Sequence, residues 1–189
     1  MGKVHAAIDA KLEQWIGRQQ MFFVATAPEG GGRVNLSPKG PIASLRVLDP
    51  HTLAYLDTVG SGIETVAHLR QNGRICVMLC AFEGPPRIVR LHGRGEVFAS
   101  PGNEFHEIAA GFDRSAIPAA DRASRSVVRV TVDRIADSCG YGVPLMEYRG
   151  ERPQAEAWVE ATIAKGGEGA IADYVASHNA RSIDGMPGI

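Results

Sequence analysis

Two short stretches of the chain have side chains and spacing suited to holding an anion. In Arg33-Val34-Asn35-Leu36-Ser37-Pro38-Lys39-Gly40, a strand-like segment ends on a hydroxyl and an ammonium group followed by glycine. Serine donates a hydrogen bond and lysine supplies a point charge, which together suit a phosphate. In Asp57-Thr58-Val59-Gly60-Ser61-Gly62-Ile63-Glu64-Thr65, a strand runs through glycines into a helix start. The free N–H groups and the positive dipole end of such a turn form an anion site. Gly60 and Gly62 let a ligand approach the backbone closely. Taken alone, the first stretch is what an ordinary polar turn looks like. The second explains itself as a capping box of Ser61 and Glu64. The pair says more: two anion-binding turns in one small β-rich chain suit a single phosphorylated ligand, to which Arg70 and Arg87 can add charge.

The elements that must position these turns follow from periodicity. Ile8, Leu12, Trp15 and Ile16 recur at helical spacing. Strand patterns cover Met21 to Ala27, Arg33 to Ser37, Ala43 to Leu48, Thr52 to Asp57, Ile75 to Phe82, Arg87 to Phe98 and Ser126 to Ile135. Arg87 to Phe98 alternates, with Val89, Leu91 and Val97 on one face. The inserted segment Gly60 to Asn72 reads as a helix, with Ile63, Val66 and Leu69 on one face and Gly73 as its stop. Gly102 to Gly111 has a weaker helical pattern. Pro153 to Lys165 and Ile171 to His178 form a helical C-terminus, followed by an irregular tail from Ser182. The expected fold is mainly β (α+β): a barrel or sandwich of about six antiparallel strands with flanking helices. Regular βαβ alternation, which a doubly wound sheet requires, is missing.

Composition removes several classes. Lys+Arg 20 against Asp+Glu 21 leaves a net charge of -1, without the basic surplus of a nucleic-acid binder. No apolar run approaches the roughly 20 residues of a membrane span, and the first twenty residues have no apolar signal core. A soluble, cytoplasmic protein is expected. The sequence has no G-x-G-x-x-G after a strand, no Walker A loop, no G-x-S-x-G and no H-E-x-x-H. On a strand, Cys76 and Cys80 share a face roughly 13 Å apart, too far for one disulfide or one zinc. They read as core cysteines, and no metal site is expected.

The same residues resemble the pyridoxamine 5′-phosphate oxidase-related FMN-binding proteins. The likeness is carried by Phe22 to Gly40, by Gly60 to Gly73, by Cys80 to Arg87 running on to Gly93-Arg94-Gly95, by Ser138 to Pro144, and by Asn179 to Gly185. It implies a split-barrel homodimer with FMN at the subunit interface and a small-molecule substrate. Residues 1–150 would form the FMN-binding domain, and 151–189 a C-terminal helical extension of the same domain. By that resemblance Asn35, Leu36, Ser37, Pro38 and Lys39 lie along the flavin, with Ser37 and Lys39 as phosphate ligands. Ser61, Gly62, Ile63 and Thr65 cap the phosphate, and Arg87 and Ile88 approach the ring from an adjacent strand. The subgroup has Asn where this chain has Ile63, so Ile63 offers only its backbone N–H. The arginine and aromatic set that holds pyridoxal phosphate in the true oxidase is not matched here. Arg181 is its one candidate counterpart, so vitamin-B6 oxidation itself is not implied.

A flavin-dependent oxidoreductase is the leading expectation, with the electron transfer belonging to the flavin. The backbone of Leu36 to Pro38 and the Lys39 charge would tune the ring. Tyr141 and His92 are the candidate proton donors, and no residue is assigned as catalytic. Other readings are a non-catalytic flavin carrier or sensor, the same barrel using deazaflavin or haem with His92 as axial ligand, and a purely structural β-domain.

Overall fold

The computed structural model describes residues 2–189; Met1, the first residue of the expected barrel domain, lies outside them. Strand β1 (Val4–His5) precedes helix α1 (Ala10–Ile16), whose first turn is capped by the Asp9 carboxylate accepting from Leu12 N–H at 2.8 Å. Strands β2 (Phe22–Thr26) and β3 (Asn35–Lys39) form a hairpin in which Val24 faces Ser37 and Phe22 faces Lys39. A short 3-10 turn leads into β4 (Leu45–Asp49) and β5 (Thr52–Thr58). Then come α2 (Glu64–Asn72), β6 (Arg74–Cys80), β7 (Ile88–Ala99), α3 (Asn103–Ala109), α4 (Ala120–Ala123), β8 (Ser124–Ser138), α5 (Gln154–Gly166) and α6 (Ala170–His178).

The strands form one antiparallel sheet of eight, ordered β3-β2-β6-β7-β8-β5-β4, with β1 paired to β8. Every strand read from the pattern is present, and β1 is added. A two-residue strand has no periodicity to detect. Strand β3 is an edge, so Pro38 interrupts no second ladder. Strands β7 and β8 shift register at Gly93, where a Cβ would strike the Thr131 carbonyl.

Strand β5 divides two cores. Leu53 and Tyr55 face the barrel interior with Phe22, Val24, Val77, Leu79 and Leu91. Ala54 and Leu56 face the other way, onto Phe105, Phe112 and Ile117 around α3. Each fully buried aliphatic or aromatic side chain contributes about 1.5–3 kcal/mol. Strict alternation then puts Asp57 on the barrel side, 2% exposed, where an unpaired carboxylate is not tolerated. A third cluster packs α5 and α6 (Val159, Ile163, Ile171) against α4 and Val59. Among the described residues no helix is long and apolar enough to cross a membrane, and no three His, Cys, Asp or Glu side chains gather as a metal site.

Candidate functional site

The end of β3, the β5–α2 loop and the start of β8 enclose a cleft of about 410 Å³, lined by Ser37, Lys39, Gly60, Ser61, Gly62, Thr65 and Arg125 among others. Strand geometry sets the first wall. Asn35, Ser37 and Lys39 project to one half-buried face, and Leu36 and Pro38 to the exposed one. Lys39 Nζ donates to Asp57 Oδ1 at 2.5 Å, and Arg125 Nε donates to Asp57 Oδ2 at 2.8 Å. Burial opposes ionisation of Asp57, but Lys39 and Arg125 outweigh it and hold the carboxyl below its ordinary range. Two cations face one carboxylate at the floor of the cleft, and a second carboxylate, Glu64, lines it beside Gly62.

The helix supplies the second wall. Its N-cap is Ile63, which makes no side-chain cap, so the first-turn N–H groups of α2 receive nothing from a capping side chain. This corrects the capping box expected at Ser61 and Glu64, and the helix begins at Glu64 rather than Gly60. Glu64 is turned to the C-terminal segment, where its Oε1 accepts from Ile183 N–H at 3.1 Å. Gly73 ends the helix in the left-handed region, φ 69, as its sequence position predicts.

A polar string joins the walls. Asn35 Nδ2 donates to Thr65 Oγ1 at 3.0 Å and to Thr26 Oγ1 at 3.2 Å, and Ser37 Oγ donates to Asn35 Oδ1 at 2.8 Å. Thr65 Oγ1 therefore accepts from Asn35 and keeps its own proton to donate. Ser37 has given its proton to Asn35 and presents lone pairs. Thr26 Oγ1 also pairs with Nδ1 of the fully buried His68 at 2.9 Å. Burial lowers the His68 pKa against the pull of Asp184 and Glu64.

A second cavity of about 390 Å³ shares Pro38, Lys39, Gly40 and Thr58 with the first and continues past Met21, Pro118, Tyr148 and Arg152. The two cavities adjoin at these residues, with Lys39, Arg125 and the start of α2 at the first and a more apolar stretch at the second.

Of the residues expected to bind the cofactor, Ser37, Pro38, Lys39, Ser61, Gly62 and Thr65 line this cleft, and Asn35 supports it from beneath. Ile63 is buried, with only its backbone at the loop. Leu36 is 64% exposed on the opposite face of β3. Arg87 is elsewhere: it donates to Asp137 Oδ2 at 2.9 Å, stacks on Trp15 at 4.9 Å, and lines a separate groove that meets the second cavity at Gln20. Ile88 is half-buried beside it, paired with Cys80 and Ser138. Arg70 is exposed and lines neither cavity, so it adds no charge there.

Neither candidate proton donor lies in the cleft. Tyr141 is 82% exposed, and His92 sits beside Cys76 with Nε2 4.0 Å from Sγ. Burial raises the thiol pKa of both Cys76 and Cys80. Arg181 is exposed and bonds the Gly185 carbonyl of its own turn at 2.9 Å.

Sequence reasoning missed Asp57 as the counter-ion, Arg125 and Asn179. A signal existed for the first two: a carboxylate ending an apolar strand demands a cation, and Arg125 begins the strand that pairs with it.

Residues 8–139 match the model of a family described as pyridoxamine 5′-phosphate oxidase. The pyridoxamine 5′-phosphate oxidase family protein ustO of Aspergillus flavus is 35% identical over 198 residues, covering 98% of this chain and 77% of its own. Among solved structures, HupZ of Group A Streptococcus aligns with a TM-score of 0.53 at 22% identity, over 68% of this chain and 91% of that one. A histidine-to-alanine variant of HupZ gives 0.55 at 22% identity, over 69% and 99%. These two structures bear on the fold.

Proposed function

The chain belongs to the pyridoxamine 5′-phosphate oxidase family, and on that premise we propose that it is an FMN-binding oxidoreductase acting as a cytoplasmic homodimer on a small molecule. In this reading residues 1–150 are the flavin-binding barrel and 151–189 its helical extension. One observation supports it above the others: a cleft that gathers a lysine, a buried arginine, an oriented hydroxyl and an uncapped helix start around two glycines. That donor set fits a phosphate. Gly60 has open space around it, and a Cβ on Gly62 would collide with the Glu64 carboxylate.

In this reading Lys39, the Thr65 hydroxyl and the backbone N–H groups from Ser61 to Thr65 hold the phosphate. Ser37 joins them by turning its hydroxyl from Asn35. The adjoining stretch along Pro38, Met21, Pro118 and Tyr148 takes the flavin ring and excludes water from one side. FMN bound there would supply hydride or single-electron transfer. The protein's part is orientation and charge: the Lys39 ammonium, held by Asp57, favours negative charge developing nearby. Arg87 and Ile88 belong to the adjoining groove, and in a dimer they would face the flavin across the subunit interface.

The test is the visible spectrum of the purified protein before and after FMN, beside Lys39→Ala. Retained, shifted flavin bands in the parent and weakened retention in the variant are expected. A parent that ignores FMN overturns the proposal and sends the search to deazaflavin and haem. Turnover with a nicotinamide donor marks an oxidoreductase, whereas bound flavin without turnover marks a carrier.

A further inference from the structure

The C-terminal segment reaches the floor of the anion cleft through one side chain. Asn179, directly after α6, is 0% exposed, and both ends of its amide are used. Its Oδ1 accepts from Arg125 Nη1 at 2.7 Å, and its Nδ2 donates to the Gly60 carbonyl at 3.0 Å. Arg125 Nη1 reaches the same carbonyl at 3.4 Å. The guanidinium also holds Asp57, which holds Lys39. A continuous set of hydrogen bonds thus runs from the β5–α2 loop to the cleft lysine, and Asn179 makes the shorter of its two links to the Gly60 carbonyl.

The surroundings anchor that contact. Ile183 N–H donates to Glu64 at 3.1 Å. Asp184 accepts from Arg33 N–H at 2.7 Å and from its guanidinium at 2.5 Å. Gly188 lies so close to Ile63 that a Cβ would sit 2.9 Å from two of its carbons. The asparagine cannot drift without pulling several elements with it.

Peptide geometry says what the clamp does. The C=O of Gly60 and the N–H of Ser61 share one plane and point in opposite directions. Drawing the carbonyl inward, onto Asn179 and Arg125, turns the Ser61 N–H to the open side of an exposed loop. A fixed N–H there is a donor prepared for an anion; a glycine-flanked loop without the clamp is free to turn it away. We propose that Asn179 is a positioning residue for the phosphate loop: it fixes the Gly60–Ser61 peptide so that the site favours phosphorylated over unphosphorylated flavin. This rests on the flavin reading above.

The experiment compares FMN with riboflavin, by quenching of flavin fluorescence, in the parent and in Asn179→Ala. FMN affinity is expected to fall about tenfold, the scale of one hydrogen bond to a charged group. Riboflavin affinity should stay within about twofold, since it lacks the group the loop contacts. Equal losses for both flavins, or no loss, overturn the proposal. Should Asn179→Ala fail to fold, Asn179→Leu keeps the side-chain volume, adds no charge and removes the donor to Gly60, and the same ratio is read on it. A parent that binds neither flavin defeats the flavin reading, and the clamp is then judged without ligand by backbone ¹⁵N relaxation. Ser61 and Gly62 should be ordered in the parent and mobile in the variant, with β8 unchanged. Equal mobility in both overturns the clamp.

Discussion

At the scale of single residues, the cleft depends on a buried carboxylate beneath it. Asp57 lies between Lys39 and Arg125 with almost no solvent contact. Asp57→Asn leaves two cations facing a neutral amide, one of them buried. Removing one partner of a buried ion pair costs about 3–5 kcal/mol, so the urea midpoint should fall sharply, and an unchanged midpoint would show the pair to be solvated. Thr65→Val tests the other wall. The hydroxyl is oriented by Asn35 and its proton is free for an anion. Losing one hydrogen bond to a charged group costs about 1.5–3 kcal/mol, so FMN should bind at least about tenfold more weakly while the melting temperature moves little. Isothermal titration beside thermal melting separates the two effects.

At the scale of elements, helix α2 holds both an N-terminus without a side-chain cap and a buried imidazole. His68 has no solvent contact, and burial holds its pKa below its ordinary 6.5. As pH falls through 6.5 the unfolded chain's imidazole takes up a proton and the folded one does not. The unfolded state then binds more protons, so stability declines from that point until the folded imidazole itself protonates. His68→Gln removes this dependence: the loss in urea midpoint between about pH 7.5 and about pH 5.5 should be smaller in the variant than in the parent. Identical slopes would show that His68 ionises freely in the fold. The helix also shows where sequence is legible. Its apolar face and its Gly73 stop are local signals, and both hold. Its N-terminus was misread because the partner of Glu64 is Ile183, far along the chain. Strand periodicity located β2 to β8 for the same local reason. Ser37, Lys39, Ser61 and Thr65 were legible as polar groups beside glycines. Asn179 was not, because nothing in its neighbourhood announces a contact with Gly60 across the fold.

At the scale of the molecule, several large apolar side chains are exposed. Leu36 on edge strand β3 and Val34 just before it are 64% and 75% exposed, and Leu145 and Met146 are 80% and 55% exposed. An exposed apolar residue on an open sheet edge, such as Leu36, favours association with a second chain. The groove holding Arg87 lies beside the cleft rather than within it. If a second copy completes the flavin site, FMN binds the dimer better than the monomer, and linkage requires that FMN tighten the dimer by the same factor. Sedimentation should then give twice the 20.2 kDa chain mass, and the dimer should persist to lower protein concentration when FMN is present. Leu36→Lys puts a charge on the exposed face of the edge strand, away from the phosphate ligands. It should weaken the dimer and, through the same linkage, lower FMN affinity most at low protein concentration. FMN affinity independent of protein concentration, in a chain that sediments at 20.2 kDa, would place the whole flavin site within one subunit.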